Sequence, residues 1–417
     1  MIRTCKYRLY PTNAQDRALD FLLWQGRTVY NAALEQRITA DKERGESLTY
    51  AQQWAHFRDL RHTLPDTLGK LNATAIQQLL RRLDKAFTAF FRRLKAGQTP
   101  GFPRFKSRDR FHSLAFKHGD GCKLRRGDRA LFYVQNVGEV KVKDHRPLPD
   151  HAEIKHVVVK RTNRKWDVCL QLETPDIAPR VHEGQAVGID AGLLRLLTLS
   201  DNTAYDNPRW LRASLAKLRK AQRRLARRVK GSNRRRKAAA IVASLHEHVA
   251  NQRADFWHKT TRQLVNTYNF IGIEDLTLGF MTRNEHLSLS AHDAGLGMFR
   301  QLLTYKAEEA GTSLVAVNPQ YTSQVCSGCG VIVSKELSVR THDCPHCGLS
   351  VDRDVNAARN ILFLALSEAS LHTSAGTEPS GANAVPLSPS PEGVKSIRSL
   401  RSPWLKPGEW SQSVSFQ

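Results

Sequence analysis

Four cysteines and three acids carry the chemistry open to this chain. Cys326 and Cys329 form one CxxC pair, Cys344 and Cys347 a second, and 14 residues separate the pairs. Two thiolate pairs at this spacing close a tetrahedral Zn²⁺ site, and with all four positions filled by protein such a site is structural rather than catalytic. The acids are read from context. Asp190 ends the apolar run AVGID, Glu274 ends NFIGIE, and Asp354 stands in DRDVNAARN, where a helix is expected to open behind the second cysteine pair. A carboxylate at the end of a buried strand is costly as a bare charge, so it coordinates a cation, pairs with a base, or caps a turn. Three carboxylates from distant positions meeting at one sheet edge are what two Mg²⁺ ions need for phosphodiester hydrolysis. Asp352 is an alternative to Asp354. The chain contains no P-loop, no GxGxxG and no apparent Ser/His/Asp set.

Several elements have to position these groups. Residues 2–10 alternate around Cys5, Tyr7 and Leu9 as a half-buried strand would, and Pro11 stops them. Thr12 and Gln15 make a capping box, and apolar stripes through Leu19, Leu22, Leu23, Val29, Ala33 and Leu34, then through residues 76–94, predict a helical bundle over 12–96. A Pro/Gly-rich basic connector at 97–108 leads to predicted strands at 112–117, 130–135, 139–143, 153–161 and 165–173, with GDG, RRGD and TNRK as turns. Short strands at this spacing suggest a barrel or sandwich, and if the first strand joins it the helices are an insertion.

From residue 186 the pattern becomes mixed α/β. Strands AVGID and LRLLTLS are followed by the most basic window, 209–237, which holds no acid. Leu211, Leu215, Leu218, Leu225 and Val229 fall on coiled-coil spacing, GSN at 231–233 offers a turn, and a second helix returns through Ile241, Leu245 and Val249. Arg219, Lys220, Arg223, Arg224 and Arg227 on the outer face are candidate nucleic-acid contacts, the plain alternative being a solvated basic face. A strand at 270–273, a helix over 291–310 and a strand at 313–317 complete a sheet with alternating helices. From 368 onward Ser, Pro, Gly and Thr dominate, and four acidic residues cancel four basic ones, which predicts a disordered tail.

The 417 residues call for two to four domains. Lys plus Arg number 64 against 39 Asp plus Glu, a net charge of +25, so the expected partner is a polyanion. No apolar run approaches the ~18 to 20 residues of a membrane span, and MIRTCKYRLYP has no signal core, so an intracellular, reducing location is expected, with Cys5, Cys122 and Cys169 as incidental thiols.

KYRLYPTNAQ, GFPRFKS, VGIDAG, GIEDL, CSGC with CPHC, and DRDVNAARNI occur in this order over residues 1–366. Together they resemble the OrfB/TnpB family of insertion-sequence-encoded RNA-guided nucleases, relatives of the type V CRISPR effectors. The resemblance implies a β-barrel domain at 1–11 and 97–180, a helical insertion at 12–96, and a RuvC-like (RNase H fold) nuclease domain at 181–318 and 348–367. A zinc finger at 319–347 would interrupt that domain, and a tail would occupy 368–417. It further implies a metal-dependent DNA endonuclease of a transposable element. Its partners would be a guide RNA from the transposon end and target double-stranded DNA, with no membrane and no small-molecule substrate, in the bacterial cytoplasm at the nucleoid. Asp190, Glu274 and Asp354 would then hold two catalytic Mg²⁺ ions and the cysteines a structural Zn²⁺. Reading of a short motif flanking the target would fall to the helical insertion and the β-domain, where Tyr50 and Gln77 are candidates. Two other readings remain open at this stage: a DDE-type transposase acting without RNA, and a non-enzymatic zinc-containing nucleic-acid-binding regulator whose carboxylates are caps.

Overall fold

The structure is a computed structural model. It describes residues 2–127, 129–149, 151–175, 185–336 and 338–374, with side chains described to 370. The chain divides after Pro175 into two compact units. Among the described residues no helix is long and apolar enough to cross a membrane.

In the first unit, strand β1 (Ile2–Tyr10) precedes helices α1 (Asn13–Arg44), α2 (Tyr50–Thr63) and α3 (Ala73–Lys95), and six strands follow. These are β2 (Ser113–His118), β3 (Gly121–Arg125), β4 (Leu131–Val134), β5 (Gly138–Lys143), β6 (Glu153–Thr162) and β7 (Lys165–Glu173). They close into a barrel in the order β1-β5-β4-β3-β2-β6-β7. The alternation in β1 buries Cys5, Tyr7 and Leu9, so the first strand belongs to the barrel and the three helices are inserted into it. One hydrophobic core runs through both parts. Polar contacts stitch them together: the Trp166 indole donates to Asp16 at 2.6 Å, Gln15 Nε2 to Glu139 O at 2.8 Å, and Asn72 Nδ2 to Asp120 and Gln135 at 3.0 Å each. The expected Thr12–Gln15 capping box is present.

Strand β3 falls in a stretch expected to be turn. It is only five residues long, and glycines with left-handed backbone stand just before it, Gly119 (φ 85°), and at its first position, Gly121 (φ 76°), so turn residues mask it. Tyr50 opens α2, packs against the core and carries the Arg81 guanidinium 5.6 Å over its ring, while Gln77 is half-buried on α3.

In the second unit, β8 (Gln185–Ala191), β9 (Arg195–Leu199) and β10 (Ala204–Asp206) lead into α4 (Trp210–Ala226) and α5 (Asn233–Thr267). Next come β11 (Tyr268–Glu274), α6 (Gly279–Arg283), α7 (Ser288–Ala294), α8 (Leu296–Ala310) and β12 (Ser313–Val317), and then the short pair β13 (Thr341–Asp343) and β14 (Ser350–Asp352) before α9 (Arg353–Ser374). The main sheet has the order β10-β9-β8-β11-β12, with β8, β11 and β12 parallel and β9 and β10 antiparallel. This is the RNase H-like arrangement the motifs imply. Val187, Ile189, Ile271 and Ile273 join a core with Trp257 and Leu264 of α5 and Leu303 of α8. Ile361 and Ala365 of α9 pack with Phe270, Val315 and Val317 in a second cluster.

Three expectations need correction here. The basic hairpin forms, but its seam is buried only at Leu218; Val229 lies beyond the end of α4 and is 76% exposed, and Ile241 is 45% exposed. The helix ends at Ala226, so the predicted spacing loses its support before Val229 is reached. Burial returns only at the base, where Trp210 and Val249 reach the sheet's core and Asp293 accepts from the Leu211 and Arg212 amides at 2.8 and 3.1 Å. The single helix expected at 291–310 is two, α7 and α8, broken at Gly295 (φ 67°), where a Cβ would lie 2.5 Å from Arg253 Cδ. Finally, α9 continues to Ser374, past the expected start of the tail at 368, and its Ser367 and Ser370 hydroxyls bond back to the carbonyls of Phe363 and Leu366, as serines accommodated within a helix do. The rest of the expected tail lies outside the described residues.

Candidate active site and zinc knuckle

Strand register brings two of the three acids together. In the parallel pair of β8 and β11, Gly188 lies opposite Gly272 and Ile189 opposite Ile273. One step further along each strand stand Asp190 and Glu274. Side chains alternate across a sheet, so each Gly-Ile-acid triplet puts its isoleucine into the core under α5 and α8 and sends the glycine and the acid to the opposite face, the face covered by α9. The glycines let α9 come close. A Cβ on Gly188 would lie 2.0 Å from the Ala358 carbonyl oxygen, and one on Gly272 would lie 2.8 Å from Ala365 Cβ.

The start of α9 brings the third acid. Asp352 acts as its N-cap, accepting from the Asp354 amide at 2.8 Å, and its other oxygen receives Arg195 Nη1 at 3.1 Å. Asp352 thus caps the helix and pairs with Arg195 while its charge also acts on Asp190, and Asp354 stands in the first turn of the helix with Arg353 Nη2 3.4 Å away. All three carboxylates are half-buried. Asp190 is enclosed on most sides, and its pKa is raised well above the usual carboxylate range, first by desolvation, then by the charges of Glu274 and Asp354, with Arg353 opposing. Glu274 is raised by desolvation and pulled back by a 2.6 Å hydrogen bond from the Thr322 hydroxyl. Mutually repelling acids sharing one partly open end of a sheet are a donor set that fits hard divalent cations.

The four-cysteine knuckle is fixed more tightly. Among the described residues, Cys326, Cys329, Cys344 and Cys347 are the one group of three or more His, Cys, Asp or Glu side chains whose ligand atoms all lie within 4.8 Å of one another. The sulfur pairs Cys326–Cys347 and Cys329–Cys344 are each 3.6 Å apart. Tetrahedral ligands at a Zn–S distance of ~2.3 Å would sit ~3.8 Å apart, so the four thiols fit Zn²⁺ without rearrangement. The amides of Cys347 and His346 pull the Cys344 thiol down to about 6, while hydrogen bonding among the four sulfurs pushes Cys329 up to about 12, so without a metal the cluster shares its protons unevenly.

Asn356 and Asn360, one turn apart on α9, tie the knuckle to the acids. Asn356 Nδ2 donates to the Val325 carbonyl at 2.7 Å and its oxygen accepts from the Ser327 amide at 2.9 Å, while Asn360 Nδ2 reaches the carbonyls of Thr322 and Val325 at 2.8 and 2.7 Å. Sequence reasoning missed Thr322 and gave the two asparagines no role, although polar residues spaced i, i+4 on the apolar face of a helix were a usable signal. Arg219, Lys220, Arg223, Arg224 and Arg227 are all exposed along α4 and at its end.

Three family descriptions match this chain. "Probable transposase" of the OrfB/IS605 type covers residues 168–285, a Cas12f1-like TNB domain covers 297–361, and a helix-turn-helix domain covers 1–46. In the structure that last stretch is a strand and one continuous helix rather than two. A relative from Streptomyces pristinaespiralis, named for RNA-guided DNA endonuclease activity, is 36% identical over 369 residues, spanning 88% of this chain and 90% of its own. InsQ of Escherichia coli K12, named likewise, is 30% identical over 378 residues, 87% of this chain and 92% of the relative. In fold, the chain is similar to Cas12f1 as solved in its complex with guide RNA and target DNA, with a TM-score of 0.56 at 15% identity over 87% of this chain and 98% of that one. At such identity over nearly the whole length of these relatives, the chain belongs to the OrfB/TnpB family.

Proposed function

We propose that this protein is an RNA-guided DNA endonuclease of a transposable element, which cuts target double-stranded DNA beside a short flanking motif at a single site formed by Asp190, Glu274 and Asp354. The activity named for its close relatives supports the class. The observation that carries the chemistry is the convergence of three half-buried acids on the α9 face, with Asp190 disfavoured as an anion first by burial and then by the charges of the other two. Divalent cations, in this reading two Mg²⁺, would be held by these carboxylates and would supply activation of the attacking water and neutralisation of the leaving oxygen. The chain's own residues do the rest. Thr322 favours the ionised form of Glu274, Asp352 fixes the first turn of α9 and so the place of Asp354, and the exposed arginines of α4 offer phosphate contacts for guide RNA and DNA. The cysteines hold Zn²⁺ as a closed structural site.

The test is to sequence RNA that co-purifies with the protein and to assay cleavage with that RNA, Mg²⁺ and a library of flanking sequences. A discrete bound RNA and guide-dependent cutting are expected. Asp190→Ala should abolish cleavage while RNA and DNA binding persist, and strand-transfer products made without RNA would overturn the reading.

A further inference from the structure

We infer that Thr322 is a positioning residue for Glu274, and that the zinc knuckle and the two asparagines of α9 act on the active site through it. The inference rests on the reading of Glu274 as a cation ligand. The Thr322 side chain is buried, and its hydroxyl has one proton and two acceptors in reach, Glu274 Oε1 at 2.6 Å and the Pro319 carbonyl at 3.1 Å. The shorter, charge-assisted bond goes to the carboxylate. It fixes one carboxylate oxygen and so sets the plane in which the other can meet a cation.

Thr322 is itself held from three sides. Its carbonyl accepts from Asn360 at 2.8 Å. On its N-terminal side, Tyr321 takes a left-handed backbone (φ 62°), unusual for a bulky residue, in a turn where its carbonyl accepts from the amides of Gln324 and Val325 at 2.9 Å each. On its C-terminal side, the Val325 carbonyl is gripped by both Asn356 and Asn360, and the next residues are Cys326, a zinc ligand, and Ser327, whose amide Asn356 also accepts. Asn356 and Asn360 are buried in α9, the helix that carries Asp354 in its first turn. A single short segment, 322–327, therefore connects a zinc ligand, the orienting hydroxyl of Glu274 and the helix carrying Asp354. Zinc at the knuckle would set Glu274 against Asp354 without contributing any chemistry of its own.

The experiment compares Thr322→Val, which keeps the shape and removes the donor, with Thr322→Ser, which keeps the donor, and with Asn360→Ala, which loosens the segment without touching zinc or Glu274. Full-length protein with its co-purified RNA is measured for zinc content, melting temperature in EDTA-free, Mg²⁺-free buffer, target DNA binding, cleavage against Mg²⁺ concentration, and Mn²⁺ binding by calorimetry. Thr322→Val should keep its zinc, its melting temperature and its DNA affinity, yet need on the order of tenfold more Mg²⁺ for half-maximal cleavage and bind Mn²⁺ about tenfold more weakly, as is typical when an outer partner of a metal ligand is lost. Thr322→Ser should restore both, and Asn360→Ala should shift both in the same direction. A Thr322→Val protein with wild-type Mg²⁺ and Mn²⁺ dependence overturns the proposal, as does one whose losses match a loss of zinc or of melting temperature. If the wild type binds Mn²⁺ but never cleaves, the functional reading fails, while the Mn²⁺ comparison still decides the role of Thr322.

Discussion

Substituting Gly188 with alanine tests whether the close approach of α9 to the sheet builds the active site. The added Cβ would sit 2.0 Å from the Ala358 carbonyl oxygen, 2.6 Å from the Leu362 amide nitrogen and 2.9 Å from Leu362 Cβ. Two of the three obstacles are backbone, so no rotamer change relieves the clash, and the helix has to retreat by roughly 1 Å or more to reach ordinary contact. Overpacking of this kind costs ~1 to 3 kcal/mol, and rigid obstacles put Gly188→Ala near the upper end. For a unit of this size that corresponds to about 6 to 12 °C in melting temperature. Ala358 lies one turn after Asp354 on the same helix, so the retreat displaces the acid as well, and a ~1 Å misplacement costs on the order of 10²-fold in rate. Gly272→Ala is the internal control. Its Cβ would meet Ala365 Cβ at 2.8 Å and the Ile361 carbonyl oxygen at 3.2 Å, a milder conflict further from the start of α9, so it should lose less of both. Scanning calorimetry and guide-dependent cleavage of the two variants give the comparison. A Gly188→Ala protein that melts within about 1 °C of wild type and cuts at full rate would refute the reasoning, as would Gly272→Ala proving the more damaging change.

Three further outcomes are expected. Because Asp190 has its pKa raised above the ordinary 3.8 by burial and by the charges of Glu274 and Asp354, its contribution to stability is fully present below that ordinary value and is lost as pH rises through the raised one. Without divalent ions, Asp190→Asn should therefore melt close to wild type near pH 3.8 and increasingly above it as the pH rises, with Mg²⁺ narrowing the gap; a gap that shrinks with rising pH in metal-free buffer contradicts this. Elemental analysis should find one zinc per chain, and Cys344→Ala should lose it together with hydrogen-exchange protection at residues 322–356, while β8 and β11 stay protected; zinc retained by that variant would mean other ligands. Replacing Arg219, Arg223 and Arg227 together by glutamine should lower the slope of log affinity against log salt for bound nucleic acid by about 2 to 3, near 0.7 to 0.9 per phosphate contact. An unchanged slope would make the α4 face a merely solvated one.

Much of this architecture was legible in the sequence because local chemistry announces it. Period-two alternation marked β1, an apolar run marked β8, the Thr12–Gln15 capping box marked the start of α1, and two CxxC pairs marked a site whose sulfurs do gather within 4.8 Å. What misled was context. Coiled-coil spacing in 211–229 promised a buried seam, but spacing cannot say where the helix stops, and α4 ends at Ala226, so Val229 is exposed. Helical periodicity over 291–310 ran through Gly295 because a helix broken by one left-handed residue preserves most of its apolar spacing on both sides.

The candidate site divides along the same line. The acids could be named because a carboxylate ending an apolar strand is unusual, yet the glycines two residues before Asp190 and Glu274 carry as much of the design and are silent in isolation. Gly188 and Gly272 make sense only once the register pairs them and α9 lies across the gap. A glycine within a strand weakens it unless another backbone needs the space, and here it does. The Thr322–Asn360 and Asn356–Ser327 bonds are less readable still, since they join residues 29 to 38 positions apart through side-chain contacts with backbone, which leave no periodic trace. The residues that do the chemistry can therefore be read from type and position, while those that aim them are exposed by packing. That is why mutations at glycine and asparagine, rather than at the acids, most sharply separate a built catalytic site from a coincidence of charges.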